Sequence, residues 1–448
     1  MSPTLAERIS SWSSALDLDA VPGEVVDVAK RCIIDLLGVT MAAVPHPLPR
    51  RVLDYARRVH AGGTATVLGH GERLSPVGAA LVNGTAGHTL DFDDTSYTGI
   101  MHGSTVALPA ALAATEEAGG DGRRLLEAFV VGSEVTYAIA LLCTTEHYFK
   151  GWWSTATCGA FGAAAAAAKG LGLSAADTTS ALALAGAQAC GQKAAFGSDA
   201  KPYLAGRAAA IGVEAALLAG MGLVGPSDVL EGRNGFLQLL NDDRSESAGI
   251  DGLGRVWRLV DPGIFFKRYP VCSAAHAAVE LTQRLLEDNN IRGEDVRRVI
   301  CEVPPVVAIS LVHDRPETAQ EAQFSLPFAV GTMLVRGELR IEDLRDEALS
   351  DRRIREAMAK VELRRVDALD RKEAPEGARV TLVGADGTEV ADYLGEASGM
   401  PGNPISDELL HDKFRRCVAA GGLPDEQARA LLERLRRIET APPERIIL

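Results

Sequence analysis

The chain has 448 residues, with 46 Lys and Arg against 60 Asp and Glu, and a formal charge of −14. That length supports two or three domains around a large core, and the acidic balance excludes phosphate-backbone binding by bulk charge, so nucleic acid is not an expected partner. A hydrophobic share of 47% and a charged share of 24% exclude long disorder and fibrous repeats, while seven scattered cysteines without CxxC spacing support neither a disulfide framework nor a zinc knuckle.

Thr4 to Glu7 reads as a helix capping box, and Glu7 and Arg8 fall where a signal peptide needs apolar residues. With cysteine usage that suits a reducing compartment, the expectation is a cytoplasmic protein. Leu5, Ile9, Trp12 and Leu16 recur at helical spacing, and the pattern continues through Val25–Ala42, Pro49–Ala61 and Ala79–Leu90. The first half is therefore predicted to be mostly α.

Between residues 105 and 224 the sequence is rich in Ala and Gly, as in FGAAAAAAKG and GVEAALLAGMG. Small faces let helix axes approach closely, which predicts the interior of a helical bundle whose polar ends rim a cleft. The uncharged run from Gly151 to Ala168 is too weakly apolar for a good membrane span. A buried helix is expected there, and no membrane.

After Pro262 the texture changes, and strands are predicted only in this part. Arg297–Val303 and Arg379–Val383 are β-branched runs, the second leading through Ala385-Asp386-Gly387 into Thr388–Tyr393 as a hairpin. The charge-laced stretch Leu339–Lys372 reads as solvated helices. From Ser406 the helical pattern returns, with Leu409, Leu410, Phe414 and Val418, then Leu431, Leu432, Leu435 and Ile438. The predicted fold is mainly α: a large helical-bundle domain formed by residues 1–262 and 398–448, with a smaller α+β lid inserted at 263–397. The nearest Gly-rich candidate for a phosphate loop, Gly151–Gly162, lacks a preceding strand.

Four segments carry candidate chemistry. Asp91, Asp93, Asp94 and Thr95 precede a loop with His102, Gly103 and Ser104. Carboxylates this close raise one another's pKa unless opposed, which fits a general base, a metal site with His88 and His102, or a capped helix end. His102, flanked by Gly and Ser, suits proton transfer. Trp152, Trp153, Ser154 and Thr155 open the Ala-rich helix, where Ser154 can cap and the tryptophans can wall a pocket. Lys201 lies just ahead of a helix, and Phe265-Phe266-Lys267-Arg268-Tyr269-Pro270 sits at the domain junction, followed by Cys272 and His276. A lysine on each wall of a cleft attracts a carboxylate despite the acidic whole.

Taken in order, DFDDT, the HGST loop, STATCGAFGAA, SDAKPYLAGRAA, FKRYP and the late MPGNPIS with Lys413-Phe414 resemble the MmgE/PrpD superfamily over nearly the whole chain. The resemblance implies a homodimer, a helical domain with an inserted lid, and a cleft that works on a small carboxylate without metal or organic cofactor. By motif position, Asp91 and Thr95 would shape the site, His102 would be an acid/base, and Lys201 and Lys267 would bind substrate carboxylates. Trp153, Cys272 and Phe328 stand where decarboxylase-like members carry His, His and Tyr. Cys272 is a replacement if Lys267 and Arg268 depress its thiol pKa; His276, Tyr269, Tyr97 and Tyr148 are others.

The expected function is a cofactor-independent lyase that abstracts a proton α to a carboxylate and eliminates water or carbon dioxide. Epimerisation of a small dicarboxylate, which needs no leaving-group acid, stays open. So does a repurposed site for a larger, less polar substrate, since Trp153 and Phe328 add aromatic area.

Overall fold

The computed structural model describes residues 2–371 and 374–443. The chain opens with α1 (Leu5–Ala15), capped by the Thr4/Glu7 box, then α2 (Gly23–Ala43) and α3 (Pro47–Val59). A short antiparallel hairpin, β1 (Ala65–Val67) and β2 (Glu72–Leu74), follows. This corrects the expectation that strands occur only after Pro262; runs of three residues carry too little alternation to read. Next come α4 (Pro76–Thr89), α5 (Ser104–Glu117), α6 (Gly122–Phe149), α7 (Ser154–Leu171), α8 (Ala175–Gly186) and α9 (Ala200–Gly220).

Helices α4 to α9 pack on one another through their small faces. The approach is close enough that a Cβ on Gly212 would stand 2.4 Å from Ala163, and one on Gly162 would stand 2.6 Å from the carbonyl oxygen of Gly132. Any side chain there would push α9 off α7 or α7 off α6. Both α6 and α9 are long and apolar enough to cross a membrane, yet 94% of the most apolar stretch of α6 is buried against its neighbours. Their composition serves the inside of the bundle.

Two large apolar cores form. The first gathers residues from Ala6 to Phe266 together with Ile405, Leu410, Phe414, Val418 and the leucines of Asp425–Leu435. The second is built from Phe265 to Met400. In the second, β3 (Val296–Val303), β4 (Val361–Arg365), β5 (Ala378–Gly384) and β6 (Glu389–Leu394) form a sheet in the order β4-β3-β5-β6. The β5–β6 hairpin is antiparallel and β4 runs parallel to β3. The helices His276–Asp288 and Leu326–Arg336 cover this sheet.

The charged stretch is corrected in part. Residues Asp346–Ser350 and Arg352–Met358 are helical, but Val361–Arg365 is a strand. Its charges mark an edge strand, with Arg298 Nε 3.1 Å from Glu362 across the pair. Lys372, the end of that predicted stretch, lies outside the described residues.

Candidate active site

The site grows from the loop between α4 and α5. After Thr89 the chain turns at Asp91 in a left-handed conformation, φ +46°, which Asp tolerates better than most residues. Thr95 then pairs its backbone with Phe265, N–O distances 3.0 and 2.8 Å, and donates Oγ1–H to the Met101 carbonyl at 3.0 Å. Thr95 thus shapes the loop through its backbone and hydroxyl. The pairing holds the segment around Phe265 extended, where successive side chains alternate sides. Lys267 turns in and is fully buried; Arg268 turns out and is exposed.

Lys267 Nζ donates to the Asp91 carbonyl at 2.6 Å and to Asp91 Oδ1 at 2.7 Å. Lys201, in the first turn of α9, donates Nζ–H to Asp91 Oδ2 at 3.2 Å. Burial pushes the Asp91 carboxyl up, but Lys201 and Lys267 outweigh it and hold it well below the ordinary carboxylate value. Burial works against the Lys267 ammonium, and Asp91 and Asp93 outweigh that in turn, so its pKa is raised. One carboxylate therefore pairs with two buried lysines. An ammonium has three N–H donors; among the described hydrogen bonds, Lys201 spends one and Lys267 two on Asp91.

His102 Nδ1 lies 2.9 Å from the Asp94 carbonyl, which only accepts, so Nδ1 carries the proton in the neutral ring. That leaves Nε2 directed at Asp91 Oδ1, 3.8 Å away. Thr155 Oγ1 accepts the His102 backbone N–H at 3.0 Å. Asp93 sits between the two histidines, 3.2 Å from His102 Nδ1 and 2.9 Å from His88 Nδ1. Burial raises Asp93, but His88 and His102 bring it far below the usual range. Burial lowers His88 to about 4 against the pull of Asp93, so its imidazole is neutral at pH 7. Asp94, bonded by Ser104 Oγ at 2.6 Å, is raised to about 8 by burial and by Asp35.

Aromatic rings surround the Lys201 ammonium: Phe324 at 4.8 Å, Phe196 at 5.1 Å and Trp153 at 5.4 Å from Nζ to ring centroid. Trp153 also packs on His88, centroids 5.2 Å apart. Sequence reasoning found Trp153 but missed Phe196, which lies in no motif, and Phe324, which opens the Phe324–Phe328 segment from which Phe328 was singled out instead.

The structure brings Asp91, Thr95, His102, Trp153, Lys201 and Lys267 together, and it corrects several other assignments. Ser154 does not cap α7: Trp153 holds the N-cap position with no side-chain bond, and the first turn is buried, leaving no exposed amides for an anion. Cys272 gains no activation, because burial, with Asp91 and Glu376 adding to it, drives its thiol up to about 12 despite Lys267. Arg268 stacks over Tyr269 at 5.4 Å, away from the cluster. His276 is wholly buried against Phe265 and Tyr269 and is lowered to about 3 by burial and Lys267. Phe328 is wholly buried in the lid core and offers no surface to a ligand. Tyr97 does meet the site's edge, donating its hydroxyl to Glu376 Oε2 at 2.9 Å. Glu376 itself had no sequence signal.

Donor atoms of His88, Asp91, Asp93 and His102 lie within 4.8 Å of one another, a set of the kind divalent metals use. Two ammonium groups already occupy Asp91, however, and both histidine Nδ1 atoms face Asp93. That balance suits an anionic guest better than a cation. A cavity of about 620 Å³ opens between the lid and the helix Asp407–Ala420, but of the clustered residues only Lys267 lines it.

Sequence comparisons converge on this architecture. The MmgE/PrpD N-terminal domain matches residues 7–247 and the MmgE/PrpD C-terminal domain matches residues 269–438. The cis-aconitate decarboxylase of Homo sapiens is 28% identical over 434 residues, covering 93% of this chain and 88% of the relative. That of Mus musculus is 27% identical over 428 residues, covering 93% and 87%. One from Aspergillus terreus (strain NIH 2624 / FGSC A1156) is 26% identical over 444 residues, covering 94% and 90%. With both domain models matched in succession along it, the chain belongs to the MmgE/PrpD family.

Proposed function

We propose that this protein is a lyase that removes carbon dioxide from a small unsaturated polycarboxylate. The observation that carries the reading is the lysine pair on Asp91: two buried lysines on one carboxylate, with N–H donors left over for a second anion. At the family level, lyase chemistry is supported by the decarboxylase relatives, which match 93% or more of the chain.

Loss of carbon dioxide leaves an electron pair that spreads onto a neighbouring carboxylate as an enediolate. Lys201 and Lys267 face that developing charge from a preorganised, dry position, where electrostatic stabilisation usually contributes more to the rate than any other single effect. The rings of Trp153, Phe196 and Phe324 around Lys201 favour decarboxylation over loss of water. They strip solvent from a carboxylate, whose charge disperses as the C–C bond breaks, and they offer no acid to a leaving hydroxide. His102, with one proton fixed on Nδ1, presents Nε2 beside Asp91, where it takes up a proton from solvent and passes it to the substrate carbon that gains the electron pair left by carbon dioxide. The carbon that takes up the proton completes the product.

The test is incubation of the purified protein with cis-aconitate, citrate and 2-methylcitrate, with carbon dioxide trapped and products identified by mass spectrometry. Carbon dioxide release from the unsaturated acid supports the reading. Loss or gain of water alone, without carbon dioxide, moves the assignment to dehydration.

A further inference from the structure

Lys413 is a buried lysine, 8% exposed, in the helix Asp407–Ala420. It reaches the site by way of α2. Gly38, one turn after Asp35, lets the two helices come so near that a Cβ there would stand 3.1 Å from the Phe414 ring. Lys413 Nζ then donates to the carbonyl of Phe92 at 2.7 Å and lies 2.7 Å from Asp35 Oδ1. The Phe92 ring packs against the same ammonium, 3.9 Å from Nζ to its centroid. The directional bond goes to the carbonyl, because neither buried oxygen of Asp35 has a hydrogen-bond partner among the described residues. Asp35 is the counter-charge, and the loop is what Lys413 grips.

Phe92 joins Asp91 to Asp93, and the peptide groups on either side of it are each held by a lysine. Lys267 takes the Asp91 carbonyl at 2.6 Å and Lys413 takes the Phe92 carbonyl at 2.7 Å. No other donor reaches either carbonyl among the described hydrogen bonds. A peptide unit is planar, so a donor fixed on the Phe92 carbonyl also fixes the amide plane of Asp93. Asp93 Oδ2 lies 3.2 Å from His102 Nδ1, and the Asp94 carbonyl accepts from the same nitrogen at 2.9 Å.

We infer that Lys413 is a positioning residue for proton transfer: through the Phe92 carbonyl it holds the turn from Asp91 to Asp94 so that His102 keeps its proton on Nδ1 and offers Nε2 to the substrate. This rests on His102 as the proton carrier of the reading above and deepens it. Lys413 acts through the loop and needs no contact with the substrate.

The experiment compares Asp35→Asn with the double variant Asp35→Asn/Lys413→Met in the full chain. Lys413→Met alone would leave a buried carboxylate without its cation, whereas the double variant removes both charges together and Asp35→Asn keeps the donor on Phe92. Long-range proton–nitrogen NMR of the protein with nitrogen-labelled histidines reads the His102 tautomer, its signals assigned by their loss in His102→Asn. Thermal melts, and kcat and KM on cis-aconitate, are measured beside it. Asp35→Asn is expected to keep the Nδ1–H pattern and a kcat close to wild type. The double variant is expected to stay folded, to mix the two tautomers, and to lose about 10²-fold in kcat with KM little changed, the scale of misplacing a catalytic group by about 1 Å. Wild-type tautomer and kcat in the double variant overturn the proposal and reduce Lys413 to the partner of Asp35. Equal impairment in Asp35→Asn overturns it too, since the donor to the carbonyl is intact there. Lys413→Arg, which keeps a donor, serves if the double variant does not fold: it is expected to hold the wild-type tautomer, and a mixed pattern in it overturns the proposal. If the wild type turns over no acid, the tautomers alone decide, and the expected pattern supports Lys413 while the lyase reading falls by itself.

Discussion

Lys201 and Lys267 come from different parts of the chain and meet on one carboxylate, with Nζ 3.2 Å from Oδ2 and 2.7 Å from Oδ1 of Asp91. Neither ammonium is well solvated, since the lysine side chains are 5% and 1% exposed. Each is paired with Asp91, and the proposed reaction uses both as donors to the substrate.

Removing one ammonium should therefore cost catalysis far more than folding. Lys201→Ala is expected to lower kcat/KM by about 10²–10³, the scale of losing one preorganised donor to a developing anion. Lys201→Arg should recover little, because the fork cannot fit among Trp153, Phe196 and Phe324. Steady-state kinetics beside a thermal melt separate the two effects.

Asp91→Asn should cost folding as well as catalysis. It leaves two buried ammonium groups facing one another without a counter-charge, a loss of about 3–5 kcal/mol for a broken buried pair. The pH dependence has a definite sign. Asp91 is held below the ordinary carboxylate value by its lysines, so its contribution is complete above that value and is lost as pH falls toward the folded one. Denaturant titrations from neutral to acid pH should show a falling stability in wild type and a weaker fall in Asp91→Asn.

The first core is readable from spacing because long helices repeat their apolar pattern many times; the pattern over Val25–Ala42 matches the helix Gly23–Ala43. The β5–β6 hairpin is legible in its Ala385-Asp386-Gly387 turn. Three-residue strands and the charged edge strand β4 are not, because pairing partners rather than local pattern make them strands. In the site, Asp91, His102, Lys201 and Lys267 stand in recognisable motifs. Arg268 is misplaced by sequence because the Thr95–Phe265 pairing that sets the alternation is invisible there. Cys272 is misjudged because Lys267 and Arg268 suggest activation, whereas burial dominates. Phe196 and Glu376 carry no motif, and Phe324 stands in the Phe324–Phe328 segment, where sequence pointed to Phe328; all three come near the clustered residues only through tertiary contacts.

His102→Asn tests the tautomer. The shorter amide retains a donor for the Asp94 carbonyl but nothing at the position of Nε2. We expect kcat to fall by about 10²–10⁴ with KM little changed, as for loss of an acid/base group. A variant that changes KM alone would reduce His102 to an anion-binding role.

The aromatic wall should be measurable through Phe324→Leu, which keeps apolar volume but loses a ring 4.8 Å from the Lys201 ammonium. A cation–π contact of this kind is worth about 0.5–2 kcal/mol, so a fall in kcat/KM of roughly 2- to 30-fold is expected, read by the same kinetics.

Chelation addresses the His88, Asp91, Asp93 and His102 group. Because Lys201 and Lys267 already neutralise Asp91, dialysis against a strong chelator should leave turnover unchanged, and added zinc or magnesium should not raise it. Activity that disappears on chelation and returns with one metal would assign the group to that ion.

The most direct measurement is proton NMR of the wild-type protein and Lys201→Ala with cis-aconitate in D₂O. The wild type is expected to convert the acid to a product lacking one carboxyl and carrying one deuterium at the carbon that receives the proton, while Lys201→Ala is slower by at least about a hundredfold. Deuterium entering recovered substrate without loss of carbon, or equal rates in the two proteins, would contradict decarboxylation on the lysine pair.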